Sequence, residues 1–428
     1  MAWSNQSKEY QRLLEIGRPP SIRGLFPNSK GLIVSGKFID RALMAKGKAM
    51  TIAANGRNHL IIRGVLAAAQ RADAAVIIEI AKSEGGSSFY CAVNYWNMAR
   101  QVDALLNEMG LTVPVAIHAD HYGIKSEKDL ARAKIEVPTM FEAGVTSIAI
   151  DASHLPDDQN LLSSVAINPF IPGWAGLECE VGEIKGDVGL STPAEALFLV
   201  QGLNAHGIHP DWIALNNGTT HGIQAESAGI HVDLTASIHQ AVAPYGLSGA
   251  QHGTSGNSSE RLREIAQRTR TTKANVATAL QMVSWGVEID DYGNAILKDG
   301  ALVKVPGQGV GEDLWAEMVA VGTEKKLKAG DYKSLNLPFE NKMLSQPLEI
   351  RRRVAKGVED FVHKLLTTVF NSEGTAPLAY EAIMKANGYD PGPKAGRLED
   401  PAEWTEARIR ERAKALGVDK GPAGNFDD

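Results

Sequence analysis

Three side chains that can bind a metal or move a proton occur within four positions of the segment AIHADHYGI, residues 116–124. They are His118, Asp120 and His121, and the apolar residues before them predict the end of a buried strand. Neutral imidazole is a good ligand for Zn²⁺, and a carboxylate can act as a general base. This strand end therefore predicts a metal ligand beside a proton-transfer group, with His118 orienting a neighbour rather than binding the metal.

Two further histidines, His221 and His252, follow other predicted strands, and a glycine comes directly after each. A glycine at that position lets the backbone or a substrate approach closely. A catalytic zinc keeps three protein ligands and one open position, so His121, His221 and His252 form a candidate ligand set. For one histidine alone, a hydrogen-bonded loop residue is the more common interpretation. Three histidines at separate strand ends, with acidic residues nearby, favour a metal site.

The elements that must position these residues alternate regularly, with short β-rich segments followed by longer helical ones from about residue 35 onward. Eight strand-then-helix repeats predict an α/β fold, a (β/α)8 TIM barrel with an N-terminal helix and a helical C-terminal extension. An open doubly wound sheet is the alternative, but no Gly-x-Gly-x-x-Gly turn follows the first strand. The predicted strands are 50–54, 75–80, 113–118, 147–150, 177–181, 212–215, one ending near 251 and one around 274–276.

Active sites of parallel barrels lie at the carboxyl ends of the strands, and here polar side chains follow or end nearly every predicted strand. They include Asn55, Ser83, Asp120, His121, Asp151, Glu180, His221, His252, Asn275 and Thr278. The segment HGTSG, residues 252–256, also resembles a phosphate cradle. Gly253 permits a tight turn, Ser255 offers a hydroxyl, and a helix beginning near Ser258 would direct its first N–H groups at the loop.

The bulk composition is that of an ordinary globular protein of 428 residues, with 44% hydrophobic and 22% charged residues. A net charge of −6 argues against a nucleic-acid partner and leaves small molecules as the expected ligands. Two cysteines imply no disulfide framework, and neither a membrane span nor a secretory signal is predicted. We therefore expect a cytoplasmic protein that does not bind a membrane.

Three regions are predicted from the change in pattern along the chain. Residues 1–45 form an N-terminal helix and loop, residues 46–290 the catalytic barrel, and residues 291–428 a C-terminal extension. The extension contains two predicted amphipathic helices, 348–369 and 401–416. We expect it to pack on the barrel or on a partner subunit.

Six segments in the same order resemble the class II, metal-dependent fructose-bisphosphate aldolases. They are HADH (118–121), TSIAIDASHLP (146–156), ECEVG (178–182), NGTTHG (217–222), HGTSG (252–256) and KANVAT (273–278). The resemblance covers about residues 45–290, and the first and last parts of the chain match poorly.

The resemblance implies a role for each matching position at the metal and at the phosphate. His121, His221 and His252 correspond to the metal ligands, Glu180 to a glutamate that ligates or alternates there, and Asp151 to a position near a second cation. The implied ion is Zn²⁺ or another divalent ion such as Mn²⁺, Co²⁺ or Fe²⁺. Gly222, Gly253 and Ser255 correspond to a phosphate and monovalent-cation site, and Ser83 and Thr278 to substrate-binding positions.

The resemblance also implies the proton-transfer groups of an aldol cleavage. Asp120 corresponds to the acid–base group acting on the C4 hydroxyl of a ketose phosphate. Asn55 and Asn275 correspond to amides that hold the enediolate, and Glu183 is a candidate late proton donor.

Three departures from the family pattern affect substrate choice rather than the metal core. Ala277 stands where many relatives carry an acid, and Ala225 where many carry a phosphate-binding lysine. The glycine- and acid-rich segment after the fifth strand is shortened to GEIKGDVG. The prediction of a metal-dependent aldolase is therefore stronger than that of its best substrate.

The predicted function is reversible retro-aldol cleavage of a phosphorylated ketose, with fructose 1,6-bisphosphate as the first candidate and tagatose- or sedoheptulose-type bisphosphates as alternatives. A metal-dependent hydrolase and a non-catalytic barrel are rival interpretations. The first strand lacks the His-x-His pair usual in such hydrolases, and the intact histidine motifs disfavour a non-catalytic protein. We expect a sugar phosphate substrate and a homodimer or higher homo-oligomer.

Overall fold

The computed structural model describes residues 7–86, 89–182, 188–219, 229–291 and 293–417. Within these ranges eight parallel strands form a closed barrel, in which each strand pairs with the next and β8 pairs with β1. The strands are β1 (Thr51–Asn55), β2 (Val76–Ala81), β3 (Val115–Gly123), β4 (Ser147–Asp151), β5 (Gly176–Val181), β6 (Trp212–Leu215), β7 (Ser248–Gln251) and β8 (Thr271–Val276). The predicted TIM barrel is confirmed, and seven of the eight strands lie within a few residues of their predicted positions.

Helices precede the barrel, surround it and follow it. The first five helices are α1 (Lys8–Gly17), α2 (Pro20–Leu25), α3 (Gly36–Lys46), α4 (His59–Ala72) and the short α5 (Lys82–Gly85), which directly follows β2. Those that follow up to the end of the barrel are α6 (Met98–Met109), α7 (Glu127–Glu142), α8 (Asp157–Ile167), α9 (Pro193–Ala205), α10 (Val232–Val242), α11 (Ser259–Arg268) and α12 (Thr278–Trp285). Beyond a short hairpin of β9 (Leu297–Lys298) and β10 (Ala301–Leu302) come α13 (Glu312–Glu324), α14 (Asn336–Leu344), α15 (Leu348–Lys364), α16 (Thr375–Ala386) and α17 (Glu406–Leu416).

Several strands, such as β1, β4 and β6, are apolar between their ends, as strands covered on both faces require. β1 and β2 are buried along their full length. The helices that follow begin at side chains that cap their first N–H groups: Asn58 caps α4 and Ser258 caps α11. Caps at these positions place each helix start, and the loop before it, at the carboxyl end of the barrel.

The C-terminal extension packs on the barrel at several places, among them one side of the barrel and the amino ends of its strands. Along one side α15 lies against α4, and they approach closely because Gly64 has no side chain; a Cβ there would lie 2.6 Å from the Ala355 carbonyl oxygen. At the amino ends of the strands, Lys394 donates to Asp40 at 2.5 Å and to the Asp211 carbonyl at 2.8 Å. The side chains of Lys394 and Asp40 are nearly inaccessible to solvent.

Two predicted helices of the extension differ in detail. Leu348–Lys364 is α-helical, but the next five residues, Leu365–Val369, form one π-helical turn. The predicted helix 401–416 begins as a separate turn, Pro401–Trp404, before α17 starts at Glu406.

Candidate active site

The third strand is longer than predicted, and this extra length delivers two adjacent side chains to one place. The prediction ended the strand at His118, whereas β3 continues to Gly123 and its pairing with β4 shifts between Ala119 and Tyr122. Neighbouring residues of a regular strand point to opposite faces. Here the shift, with a φ of 42° at His121, lets both Asp120 and His121 face the barrel mouth.

The two described histidines of the predicted ligand set are in contact. Nε2 of His121 lies 2.6 Å from Nδ1 of His252. On its other side, Nδ1 of His121 lies 3.3 Å from Glu180 Oε1 and 3.7 Å from Asp151 Oδ2. Asp151 is itself held by Ser153, whose N–H and hydroxyl both donate to its Oδ1. The structure therefore brings four of the predicted metal ligands together.

The donor set fits a divalent cation. Ligand atoms of His121, Asp151 and Glu180 lie within 4.8 Å of one another, as do those of Asp120, His121 and His252. Burial, followed by the negative charge of Asp151, raises the pKa of Glu180 to about 8. Two imidazoles beside two buried carboxylates form the mixed nitrogen and oxygen set that Zn²⁺ and similar ions bind, and a bound cation would relieve the repulsion between the carboxylates.

A glutamate that the prediction left without a role fixes the orientation of His252. Oε1 of Glu178 lies 2.7 Å from Nε2 of His252, and both side chains are buried. The ionised carboxylate accepts a hydrogen bond from the Nε2–H group of His252. The proton therefore stays on Nε2, and Nδ1 is the nitrogen that is available to an ion. Alternation along β5 places Glu178 and Glu180 on the same face, which is the sequence signal for this pair.

Below these groups a fully buried lysine joins the strands. Nζ of Lys273 lies 3.1 Å from Glu79 Oε2, 3.0 Å from Glu178 Oε2 and 3.6 Å from Asp120 Oδ1. Burial opposes the charge of Lys273, but the surrounding carboxylates raise its pKa above the ordinary value. The prediction missed this interaction, although Glu79 interrupts the apolar run of β2 and Lys273 lies two residues before Asn275.

Asn275 connects this lysine to the predicted base. Its Oδ1 accepts from Lys273 Nζ at 2.8 Å, and its Nδ2 donates to Asp120 Oδ1 at 2.9 Å. Burial raises the pKa of Asp120, but the positive charges of His121 and Lys273 outweigh it and keep the pKa below the ordinary value. Asp120 is therefore an ionised carboxylate with a fixed orientation.

His118 lies deeper than the predicted ligands. Its Nδ1 lies 2.9 Å from Ser147 Oγ, and its Nε2 lies 3.5 Å from Glu178 Oε2. Burial lowers its pKa to about 3, so the ring is neutral. Through the second contact the ring supports Glu178, which in turn orients His252.

The predicted substrate-binding residues surround the mouth on several loops. Asn55 ends β1 and donates to Glu84, and the buried hydroxyl of Ser83 has no hydrogen-bond partner among the described residues. Gly253 adopts a φ of 60° in the loop before α11, where a glycine is favoured. Ser255 and Thr278 are half-buried near the starts of α11 and α12.

Four residues singled out in the sequence lie outside the described ranges: Glu183, His221, Gly222 and Ala225. The roles proposed for them from the sequence remain predictions.

Comparison with known proteins identifies the family of the chain. The family model for class II fructose-bisphosphate aldolase matches residues 39–374. A fructose-bisphosphate aldolase from Streptococcus pyogenes serotype M6 is 29% identical over 225 residues, which are 51% of this chain and 70% of that protein. One from Staphylococcus epidermidis is 30% identical over 133 residues, 31% of this chain and 42% of that protein.

Solved structures share the fold. The YdjI aldolase from Escherichia coli K12 superposes with a TM-score of 0.52 at 18% identity, covering 81% of this chain and all of that one. The fructose-bisphosphate aldolase from Campylobacter jejuni gives a TM-score of 0.54 at 17% identity, covering 80% of this chain and 97% of that one. No helix in the described ranges is both long and apolar enough to cross a membrane. The chain therefore belongs to the class II fructose-bisphosphate aldolase family and is, by that membership, a lyase.

Proposed function

We propose that this lyase cleaves a phosphorylated ketose reversibly by a metal-dependent retro-aldol reaction. The first candidate substrate is fructose 1,6-bisphosphate, which would give dihydroxyacetone phosphate and glyceraldehyde 3-phosphate. The observation that carries the proposal is the contact between Asp120, His121 and His252, which puts an ionised base beside a set of metal ligands.

Asp120 is the proposed base. Retro-aldol cleavage starts when the C4 hydroxyl loses its proton, after which the C3–C4 bond breaks, the aldehyde leaves and charge remains on the ketone fragment. A carboxylate that stays ionised inside the protein can take that proton, and such a group contributes about 10²–10⁴-fold to rate. The Asn275 N–H groups lie beside it and can hold the oxygen on which charge develops.

His121, His252 and Glu180 would hold a divalent cation, with His221 as the third imidazole and Asp151 near a second ion. When bound, the cation supplies Lewis-acid stabilisation of negative charge on the substrate oxygens. Zn²⁺ is the first candidate because imidazole and carboxylate suit it; Mn²⁺, Co²⁺ and Fe²⁺ are alternatives. Glu183 is the proposed later proton donor to the ketone fragment.

The loop after β7 is the proposed phosphate site. Gly253 and Ser255 lie before the start of α11, where the free N–H groups of a helix attract an anion. Gly222, Ser83, Thr278 and a monovalent cation complete the proposed contacts, with Asn55 facing the sugar. Because Ala277 and Ala225 remove contacts common in the family, a tagatose- or sedoheptulose-type bisphosphate is the alternative substrate.

We also propose that residues 46–290 carry the chemistry, that residues 1–45 and 291–428 support the barrel or a partner subunit, and that the protein is a cytoplasmic homodimer or higher homo-oligomer. The packing of α15 on α4 supports the proposed role of residues 291–428 in holding the barrel.

One experiment tests the function. The protein is treated with a chelator, and triose phosphate release is followed with a panel of ketose mono- and bisphosphates before and after adding Zn²⁺, Mn²⁺, Co²⁺ or Fe²⁺. We expect cleavage that disappears with the chelator and returns with one of the ions. Cleavage that survives complete metal removal, or no cleavage of any ketose phosphate by metal-loaded protein, would contradict the proposal.

A further inference from the structure

Asn55 is held at one end of its amide only. It pairs with Glu79 in the barrel register, and Ala53, two residues earlier, pairs with Asn275. Since Glu79 and Asn275 both reach groups inside the barrel, Asn55 shares that interior face. Its Nδ2 donates to Glu84 Oε2 at 2.6 Å, whereas its buried Oδ1 has no hydrogen-bond partner among the described residues.

The charge of Glu84 determines which way this amide faces. An ionised carboxylate can only accept hydrogen bonds, so the NH₂ group of Asn55 must face Glu84 and the carbonyl oxygen must face away. Glu84 is fixed in turn, because Arg57 Nε donates to its Oε1 at 2.5 Å and the Ala81 N–H donates to its Oε2 at 2.9 Å. Arg57 and Glu84 are 5% and 1% exposed, so water does not compete for these bonds.

Arg57 continues the connection to the C-terminal extension. Its Nη1 donates to Gln281 Oε1 at 3.0 Å, and Asn336 Nδ2 donates to the same oxygen at 2.7 Å. Asn336 begins α14, and the next residue, Leu337, donates its N–H to the Tyr90 carbonyl, which also holds this helix start in place. A chain of buried hydrogen bonds therefore runs from α14 to the mouth of the barrel.

Asn275 is held in the opposite sense. The ammonium of Lys273 can only donate, so it faces the carbonyl oxygen of Asn275 and leaves the NH₂ group beside Asp120. The two asparagines therefore offer different chemistry, since Asn275 presents a donor and Asn55 presents an unpaired acceptor.

We propose that Glu84 and Arg57 are positioning residues that hold the Asn55 carbonyl oxygen to accept a hydrogen bond from a hydroxyl of the bound ketose, and that α14 supports them through Asn336 and Gln281. This rests on the proposed function. It makes Asn55 a recognition element for a hydroxylated carbon rather than a donor to the charged oxygen, and it makes the extension part of substrate positioning.

A swap of the two partners tests the contact. Glu84→Gln removes the charge that fixes the amide, and Asn55→Asp places two carboxylates together; each lowers kcat/KM, by on the order of 10²-fold for a displaced substrate contact. The double variant Asn55→Asp with Glu84→Gln restores a donor facing an acceptor, with an oxygen still facing the sugar. We expect its kcat/KM to rise above that of Glu84→Gln alone. Glu84→Gln and the double variant both remove the carboxylate that accepts from the Ala81 N–H. The difference in kcat/KM between these two variants therefore reports only the contact with residue 55.

The far end of the chain provides a second measurement that does not alter the site. Asn336→Ala removes the support of Gln281, whereas Asn341→Ala changes an exposed residue of the same helix and serves as the matched control. We expect Asn336→Ala to lower kcat/KM at unchanged metal content, and Asn341→Ala to match the wild type. This pair decides the question if the Glu84 variants do not fold.

The outcomes separate this proposal from the function. A metal-loaded wild type that cleaves no ketose phosphate refutes the function. An active wild type whose double variant stays at or below Glu84→Gln, with wild-type metal content and thermal midpoint, refutes the positioning of Asn55. Equal kcat/KM for Asn336→Ala and Asn341→Ala refutes the role of α14.

Discussion

Nδ1 of His252 lies 2.6 Å from Nε2 of His121, while its Nε2 lies 2.7 Å from Glu178. One imidazole is thus oriented by a buried carboxylate on one side and faces the candidate metal centre on the other. A ring held in this way has a defined tautomer before any ion arrives, which is how protein ligands are commonly prepared for a metal.

Glu178→Gln should weaken metal binding. The amide can turn its NH₂ group toward His252 and favour the tautomer whose Nδ1 carries the proton. Loss of such a supporting carboxylate typically costs about 10–100-fold in metal affinity. Metal affinity is measured by competition with a chelating dye, and Glu142→Gln, at an exposed site, is the control. An unchanged affinity would show that Glu178 does not orient the ligand.

Asp120→Asn should retain the metal and lose turnover. The side chain keeps its size and can still contact Asn275, but it cannot take a proton from the substrate. We expect retro-aldol turnover to fall by about 10²–10⁴-fold. Metal content, measured on the same sample, should match the wild type. Turnover close to that of the wild type would remove Asp120 from the proton-transfer role.

Lys273→Met should destabilise the barrel strongly. It leaves Glu79 and Glu178 buried without their cation, and removing one partner of a buried ion pair costs about 3–5 kcal/mol. Urea unfolding measures the change in the free energy of unfolding. Adding Glu178→Gln should recover part of the loss, because Lys273 outweighs burial and holds the pKa of Glu178 below its ordinary value, so the substitution removes a buried carboxylate that has lost its cation. A double variant no more stable than Lys273→Met would contradict this pairing.

Asp211→Asn should change how stability depends on pH. Burial raises the pKa of Asp211 from 3.8 to about 6, although Lys394 lowers it. Because the pKa of Asp211 is higher in the folded state than in the unfolded state, ionisation of Asp211 lowers the free energy of unfolding. This loss of stability grows from about pH 4 to about pH 6 and is complete at higher pH. A shift of two units corresponds to about 3 kcal/mol. The asparagine can still accept from the Leu177 N–H that Asp211 now binds. Relative to wild type, the variant should therefore gain stability over this interval in urea titrations; a pH-independent difference would contradict the raised pKa.

Ala277→Asp combined with Ala225→Lys should improve the use of bisphosphates. The acid restores a contact to a substrate hydroxyl and the lysine a contact to a phosphate, both common in relatives. The measurement is the ratio of kcat/KM for ketose bisphosphates to that for monophosphates. If the ratio does not move, other residues supply these contacts.

The barrel and much of the site could be predicted because short β-rich segments alternating with helices, and the polar residues at the strand ends, are local signals. Asp120, His121, Asp151, Glu180, His252 and Asn275 were each recognised from their place after, or at the end of, a strand. The shift in β3 could not be predicted, since it depends on pairing with β4 rather than on the residues of β3 alone. Lys273 and Glu79 were missed for a related reason. Their charges are tolerated only because the closed barrel brings them within 3.1 Å, and closure is a property of all eight strands.

Lys394 reaches the amino ends of the strands from a segment that comes after every element of the barrel. During synthesis from the N-terminus, all eight strands exist once residue 276 has emerged, yet the base of the barrel still lacks its cation. Asp40 then waits without this partner until more than a hundred further residues have been added. The nascent protein therefore passes through a stage in which all eight strands have been synthesised but this contact at the base of the barrel has not yet formed, and partly folded stages of this kind are those in which larger proteins are prone to aggregate.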